Sequence, residues 1–281
     1  MGAWMANFLA TNGYRIIICD LQRSRAQTLA RRKGYRFMKN EIGAVGLADA
    51  VVIATPTQTT GKTIKQIEPH LLPSTLLIEI SSVKEPLRRT IEDMIRRGRA
   101  VLSIHPMFGP GAKSLEGKTV IVAQQPKKNP AAKKILATFK KKGARIVYSN
   151  LQTHDKIISA TLALPHFLNF AFIETLREAG LPPNKMREFG GTTFGLQLLV
   201  AEALYHENLQ NEAAILLNDD SSDLLKKFAA QANRLRSKVS RARREELIRN
   251  LRNSAAYVRR DSLFDSAYDR FIAAAEASAA S

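Results

Sequence analysis

Three stretches of this chain carry side chains suited to moving a proton. Ser103-Ile104-His105-Pro106-Met107-Phe108-Gly109-Pro110 sets an imidazole between an apolar run and a loop marked by proline and glycine. Glu79-Ile80-Ser81-Ser82-Val83-Lys84 sets a carboxylate, two hydroxyls and an amine after another apolar run, and Ile53-Ala54-Thr55-Pro56-Thr57 ends a third. Farther along, His154-Asp155 and Leu164-Pro165-His166 add two more imidazoles. A neutral imidazole near pH 7 is matched to taking a proton from a hydroxyl. Against that stands the plainer reading of a lone histidine as a satisfied structural side chain. His154 reads as such, a helix-start residue. No metal site is expected.

The elements that would position these groups follow from apolar spacing. Strands are expected over 15–19, 50–54, 75–80, 100–104, 118–123 and 145–148, short β-branched runs of the kind buried on both faces of a sheet. Helices are expected between them, one capped by Ser24 and ended by Gly34, others over 60–67, 86–97 and 131–142. Strands alternating with helices imply parallel pairing with helices on both faces. After Asn150 the pattern turns helical, with blocks over 151–180, 185–217 and from 221 onward. The reading is an α/β, doubly wound parallel sheet of the Rossmann type in residues 1–150, then an all-helical domain in 151–281. In such a sheet ligands lie beyond the carboxyl ends of the strands, so the three stretches would ring one crevice.

The start of the chain carries half of a dinucleotide fingerprint. Gly2 opens a helix, Gly13 closes it, and the next strand finishes in Asp20. A Rossmann fingerprint places its last glycine at a helix start and an acidic residue roughly 20 positions on. A carboxylate there would bind both ribose hydroxyls and repel a 2′-phosphate, favouring NAD. Arg23 and Arg25 pull toward NADP. Thr55, Pro56 and Ser81, at strand ends, complete the expected cofactor set. The first strand and the two earlier glycines are missing, which predicts an upstream extension supplying them.

These motifs, in this order and spacing, resemble the prephenate/arogenate dehydrogenase family, in its archaeal-type single-function form. The His-Pro-Met-Phe-Gly-Pro loop is the most specific element, followed by Ser-Ser-Val-Lys and Leu-Pro-His. The resemblance implies oxidative decarboxylation of prephenate, or of arogenate, with hydride passed to NAD(P) in tyrosine biosynthesis. It assigns His105 as the catalytic base, Ser82 as its hydrogen-bonding partner and His166 to the substrate pocket. One departure stands out: Gly195 occupies the place of a carboxylate-gripping arginine. Lys84, Lys113 and Arg187 are the candidate replacements, the first two being placed in the substrate site. The family also pairs through its helical domain, which implies a homodimer.

Bulk composition bounds the alternatives. The net charge of +18 attracts anions of any kind. Its Lys and Arg fall on solvent-facing helical positions with few aromatics between them, which argues against nucleic acid. A basic, non-catalytic Rossmann protein and a dehydrogenase of 3-hydroxy acids are the competing readings. The former explains the charge and not the histidines; the latter would want a lysine base in the helical domain. No stretch approaches ~20 uninterrupted apolar residues, so no membrane span is expected. The single cysteine, Cys19, lies in an apolar run and reads as a buried structural thiol. The expected location is cytoplasmic.

Overall fold

A computed structural model of the chain describes residues 1–241 and 243–279. It divides into two compact units: Met1–Ile158 together with Ala213–Asn218, and Ser159–Glu212 together with the chain from Asp219 onward. The first unit thus continues past Asn150 and takes in a short return segment.

In the first unit the order is α1 (Gly2–Thr11), β1 (Ile17–Ile18), α2 (Arg23–Lys33), β2 (Arg36–Phe37), α3 (Glu41–Val45), β3 (Ala50–Ile53) and α4 (Thr57–Ile67). There follow β4 (Leu76–Glu79), α5 (Glu85–Arg96), β5 (Ala100–Pro106), β6 (Thr119–Gln124), α6 (Pro130–Lys141), β7 (Arg145–Tyr148) and α7 (His154–Ile158). Five strands form one sheet in the order β3-β4-β5-β6-β7, and β1 pairs with β2 apart from it. The architecture is Rossmann-like. One pairing departs from the all-parallel expectation: β6 runs antiparallel to β5. Residues 107–118 between them contain no helix, and a parallel return needs a long crossover, usually helical.

The central strands are apolar because both faces are covered. Leu76 and Ile78 of β4 point to one layer with Met5 and Phe8 of α1 and Ile135 and Phe139 of α6. Leu77 points to the other with Ile64 of α4 and Leu87, Ile91 and Met94 of α5. The period of two along the strand divides the core into these layers. The rings of Phe8 and Phe139 stack at 4.6 Å. Helix α2 ends as expected, with Gly34 left-handed at φ 71°. It begins earlier than Ser24, because Asp20 accepts the Gln22 amide at 2.8 Å and turns the chain into the helix at Arg23.

Strand β5 runs through His105 and Pro106, beyond the Ile104 end read from the sequence. Its pairing to β4 stops at Ser103, so Pro106 lies where only β6 remains as a neighbour, a place a residue without an amide hydrogen tolerates. The register shifts between Ser103 and Ile104.

The second unit is helical: a π-turn (Ser159–Ala163), α8 (Leu164–Glu178), α9 (Pro183–Phe189), α10 (Thr192–Leu204), α11 (Leu209–Leu216, shared with the return segment), α12 (Asp219–Ser240), α13 (Arg244–Val258) and α14 (Ala267–Ala279). Pro165 cannot donate to the preceding turn, which accounts for the widened ladder just before α8. Gln197 of α10 donates to Asn169 of α8 at 2.6 Å, and Phe172 meets Phe194 edge-on. Joined through the π-turn, His154–Glu178 is long and apolar enough to cross a membrane by length and composition, its most apolar 18-residue stretch having a mean hydropathy of 1.4. The sequence reading missed it because polar His154, Asp155, His166 and Asn169 interrupt the run. Its first turn belongs to the first unit and carries the buried hydrogen bond between His154 and Asp155.

Candidate active site

His105 is the penultimate residue of strand β5 and only 3% exposed. Its Nδ1 lies 3.1 Å from Nε2 of His154, whose Nδ1 lies 2.6 Å from Oδ1 of Asp155. Asp155 in turn accepts the Lys84 amide at 2.8 Å and the Glu85 amide at 2.8 Å, at the start of α5. Asn218, in the return segment, donates to its second oxygen at 2.9 Å. A carboxylate with this many donors is held ionised.

Burial sets the electrostatics. It would raise the Asp155 carboxyl, but the hydrogen bonds from His154 and from the Glu85 and Lys84 amides outweigh it and hold Asp155 below the ordinary carboxylate value. Burial pushes His105 well below free imidazole, and His154 and Lys84 push the same way. His154 is lowered by burial too, against the pull of Asp155. Both rings are therefore neutral near pH 7, and their tautomers follow from the chain of contacts. Ionised Asp155 can only accept, so His154 donates from Nδ1 and presents a bare Nε2. His105 then donates from Nδ1 to His154. Its own Nε2 keeps a free lone pair. This is the arrangement of a proton acceptor.

Beneath the histidines lies a buried ion pair. Lys84 and Glu79, both fully enclosed, meet at 2.7 Å. The Lys84 ammonium also donates to the Ile104 carbonyl at 2.8 Å, and Glu79 accepts from the Ser103 hydroxyl and, at 2.9 Å, from the Ser81 amide. Together these tie the end of β4 to β5 at the register shift next to His105. Lys84 was expected to grip a substrate carboxylate. Its ammonium instead lies at 0% exposure among these partners, so its task is to anchor the strand end.

The other expected residues are spread over both units. Ser82 is half-buried on the turn after β4, one residue beyond the buried Ser81, and its hydroxyl has no partner among the described residues. Ser81 points its hydroxyl inward, 3.5 Å from Thr60. Thr55 is exposed at the end of β3, bonded to Thr60 at 2.9 Å, and Pro56 caps α4. Lys113 is exposed on the loop after β5, and Cys19 is half-buried with its thiol raised by burial and by Glu41. In the helical unit, Nδ1 of His166 meets Oε2 of Glu212 at 2.5 Å, and Arg187 pairs with Glu202. Gly195 of α10 faces open space. Sequence reasoning missed Asp155, Asn218 and the role of His154. The only cue was the His-Asp dipeptide itself.

A dinucleotide fits the remaining features. A Cβ on Gly2 would come within 3.2 Å of the Ala54 Cβ, so glycine lets the start of α1 approach the end of β3 without crowding. That helix start has no side-chain cap and no acidic residue, leaving its amides for an anion. Asp20 is exposed at the end of β1.

Residues 5–148 match the nucleotide-binding domain of prephenate dehydrogenase, and residues 150–253 match its dimerization domain. The chain belongs to the prephenate dehydrogenase family. It is similar to a probable arogenate/prephenate dehydrogenase of Methanocaldococcus jannaschii, with 26% identity over 92% of this chain and 58% of that protein. The fold is that of the prephenate dehydrogenase from A. aeolicus solved with hydroxyphenyl propionate and NAD+, with a TM-score of 0.73 and 19% identity over 92% of this chain and 94% of that one. It is also that of the Synechocystis arogenate dehydrogenase, with a TM-score of 0.67 and 17% identity over 92% and 95% of the two chains. The chain spans about half the length of the curated relatives it matches.

Proposed function

We propose that this chain catalyses the NAD-linked oxidative decarboxylation of prephenate, with His105 as the base. The observation that carries this is the bare Nε2 of a buried, neutral His105, fixed by the bond from its Nδ1 to His154. The bound dinucleotide supplies the hydride acceptor. His105 Nε2 takes the proton of the ring hydroxyl as the hydrogen on the same carbon leaves as hydride. The ring carboxylate departs as CO2, its bonding electrons make the ring aromatic, and His105 returns the proton to the phenolate oxygen. The open hydroxyl of Ser82 is assigned to hold His105 and the substrate hydroxyl in line. Lys113 and His166 are assigned to the substrate carboxylates.

For the cofactor, the amides at Gly2 are assigned to the pyrophosphate and Asp20 to the ribose, with Thr55, Pro56 and Ser81 along the strand ends. Arg23 and Arg25, both exposed in the first turn of α2, favour NADP as the second reading. Arogenate shares the reacting ring and is the parallel substrate to assay. The dimerization-domain match and the exposed apolar residues Leu168, Leu199 and Val200 support a homodimer. One half-buried thiol needs no oxidising compartment, in keeping with a cytoplasmic enzyme.

The test is His105→Asn. Turnover with NAD and prephenate should fall roughly 100- to 10,000-fold, the usual worth of a positioned base, while NAD affinity holds. Turnover within a few fold of the parent overturns the assignment.

A further inference from the structure

The proposed base does not stand alone. We infer that His154 and Asp155 form a positioning pair that sets which nitrogen of His105 carries the proton and stabilises the imidazolium as it forms. This rests on the reading of His105 as the base.

Unaided, a buried imidazole does not fix its own tautomer. Either ring nitrogen can carry the single proton of the neutral form, and only the tautomer with a bare Nε2 is productive here. A partner that accepts at Nδ1 decides the matter, and that partner must itself be oriented. His154 is 1% exposed and accepts only while its own proton sits on Nδ1. Asp155 enforces that, 2.6 Å away and acceptor-only while ionised. The carboxylate is immobilised in turn by two backbone amides at the start of α5 and by Asn218. A fixed orientation therefore passes from the backbone of α5 to the reacting nitrogen through three side chains.

The same chain acts on charge. When His105 takes a proton at Nε2, its Nδ1–H bond to His154 becomes charge-assisted and strengthens. Lys84 opposes the new cation, Glu79 neutralises Lys84, and Asp155 supplies a negative charge in line with both rings. The proton does not pass on to the carboxylate, because Asp155 is held below the ordinary carboxylate value. An aspartate behind a catalytic histidine is worth up to ~10,000-fold in turnover where it fixes the tautomer. Here a second imidazole lies between carboxylate and base.

The experiment combines a spectrum with kinetics on the full chain. 15N-histidine NMR, with His105 assigned by the signals lost in His105→Asn, reads the tautomer without substrate. The parent should carry the His105 proton on Nδ1. His154→Gln offers an amide oxygen near the lost Nε2 and should retain that tautomer. His154→Leu removes the acceptor and should move the proton toward Nε2, with kcat roughly 10- to 1,000-fold below the Gln variant and KM little changed. Asp155→Asn, which keeps the side-chain volume, should also lower kcat and disturb the His105 tautomer. A parent with its proton on Nε2, or a Leu variant with the parent tautomer and turnover, overturns the pair. Equal losses in the Gln and Leu variants, with the tautomer intact in both, show a packing role and overturn it too. Failure of the base assignment itself is told apart by His105→Asn, which would then keep its turnover whatever the tautomer.

Discussion

Nδ1 of His105 and Nε2 of His154 meet at 3.1 Å inside a site where neither ring can carry a charge cheaply. Burial and the neighbouring Lys84 hold His105 well below the free imidazole value. His105 therefore stays deprotonated under mildly acid conditions. The acid limb of kcat/KM, which reports the free enzyme, should fall at a pH below the ~6.5 of unperturbed histidine. Activity then persists at pH 6 and declines as protonation of His105 removes the acceptor. The His105→Asn variant should lack that limb. A limb at or above 6.5 in the parent would show that another group controls the rate.

Lys84 offers a test of structure against binding. Lys84→Met keeps the volume but leaves the Glu79 carboxylate buried without its cation. Removing one partner of such a pair costs about 3–5 kcal/mol, to be read from urea denaturation. Adding Glu79→Gln should restore most of the loss, because the amide needs no counter-charge. If Lys84 instead grips substrate, the single variant will keep its stability and raise KM for prephenate at least tenfold.

The proposed cofactor assignment sets Asp20 against its basic neighbours Arg23 and Arg25. Asp20→Ala removes both the ribose acceptor and the repulsion toward a 2′-phosphate. NAD binding should weaken and the NAD/NADP ratio of kcat/KM should narrow. Should the parent use NADP at least as well as NAD, Arg23 and Arg25 govern the choice.

The helical unit exposes apolar side chains at Leu199 and Val200, 49% and 52% accessible on α10. An isologous dimer covers such a patch with its own copy. Sedimentation velocity at micromolar concentration should show a dimer, and Val200→Asp should shift it to monomer. A parent that is monomeric at that concentration removes the case for this face.

Much of the first unit could be read directly from the residues. Strands β3, β4 and β7 are short, mostly apolar runs bounded by turn residues, and Gly34 marks its helix end because only a left-handed residue closes that turn without strain. Strand β2 and helix α3 are too short to carry a period. The direction of β6 was hidden because a strand buried on both faces shows the same pattern whichever way it runs. At the site, His105 stood out from its loop. Its partner His154 is 49 residues away, a contact no local pattern encodes. Lys84 was misread for a related reason: a long cation is ordinarily solvated, and only Glu79, five residues earlier across a turn, hinted otherwise.

The return segment Ala213–Asn218 has a consequence for how this gene can be rearranged. The polypeptide leaves the first unit after Ile158, comes back at Ala213 and leaves again after Asn218. A cut at the apparent seam near residue 150 would strip His154 and Asp155 from the half that holds His105, and would carry Asn218 off with them. The nucleotide-binding half is therefore not an exchangeable cassette. Recombination at that seam would discard the groups that hold His105, so these segments belong together in one continuous reading frame.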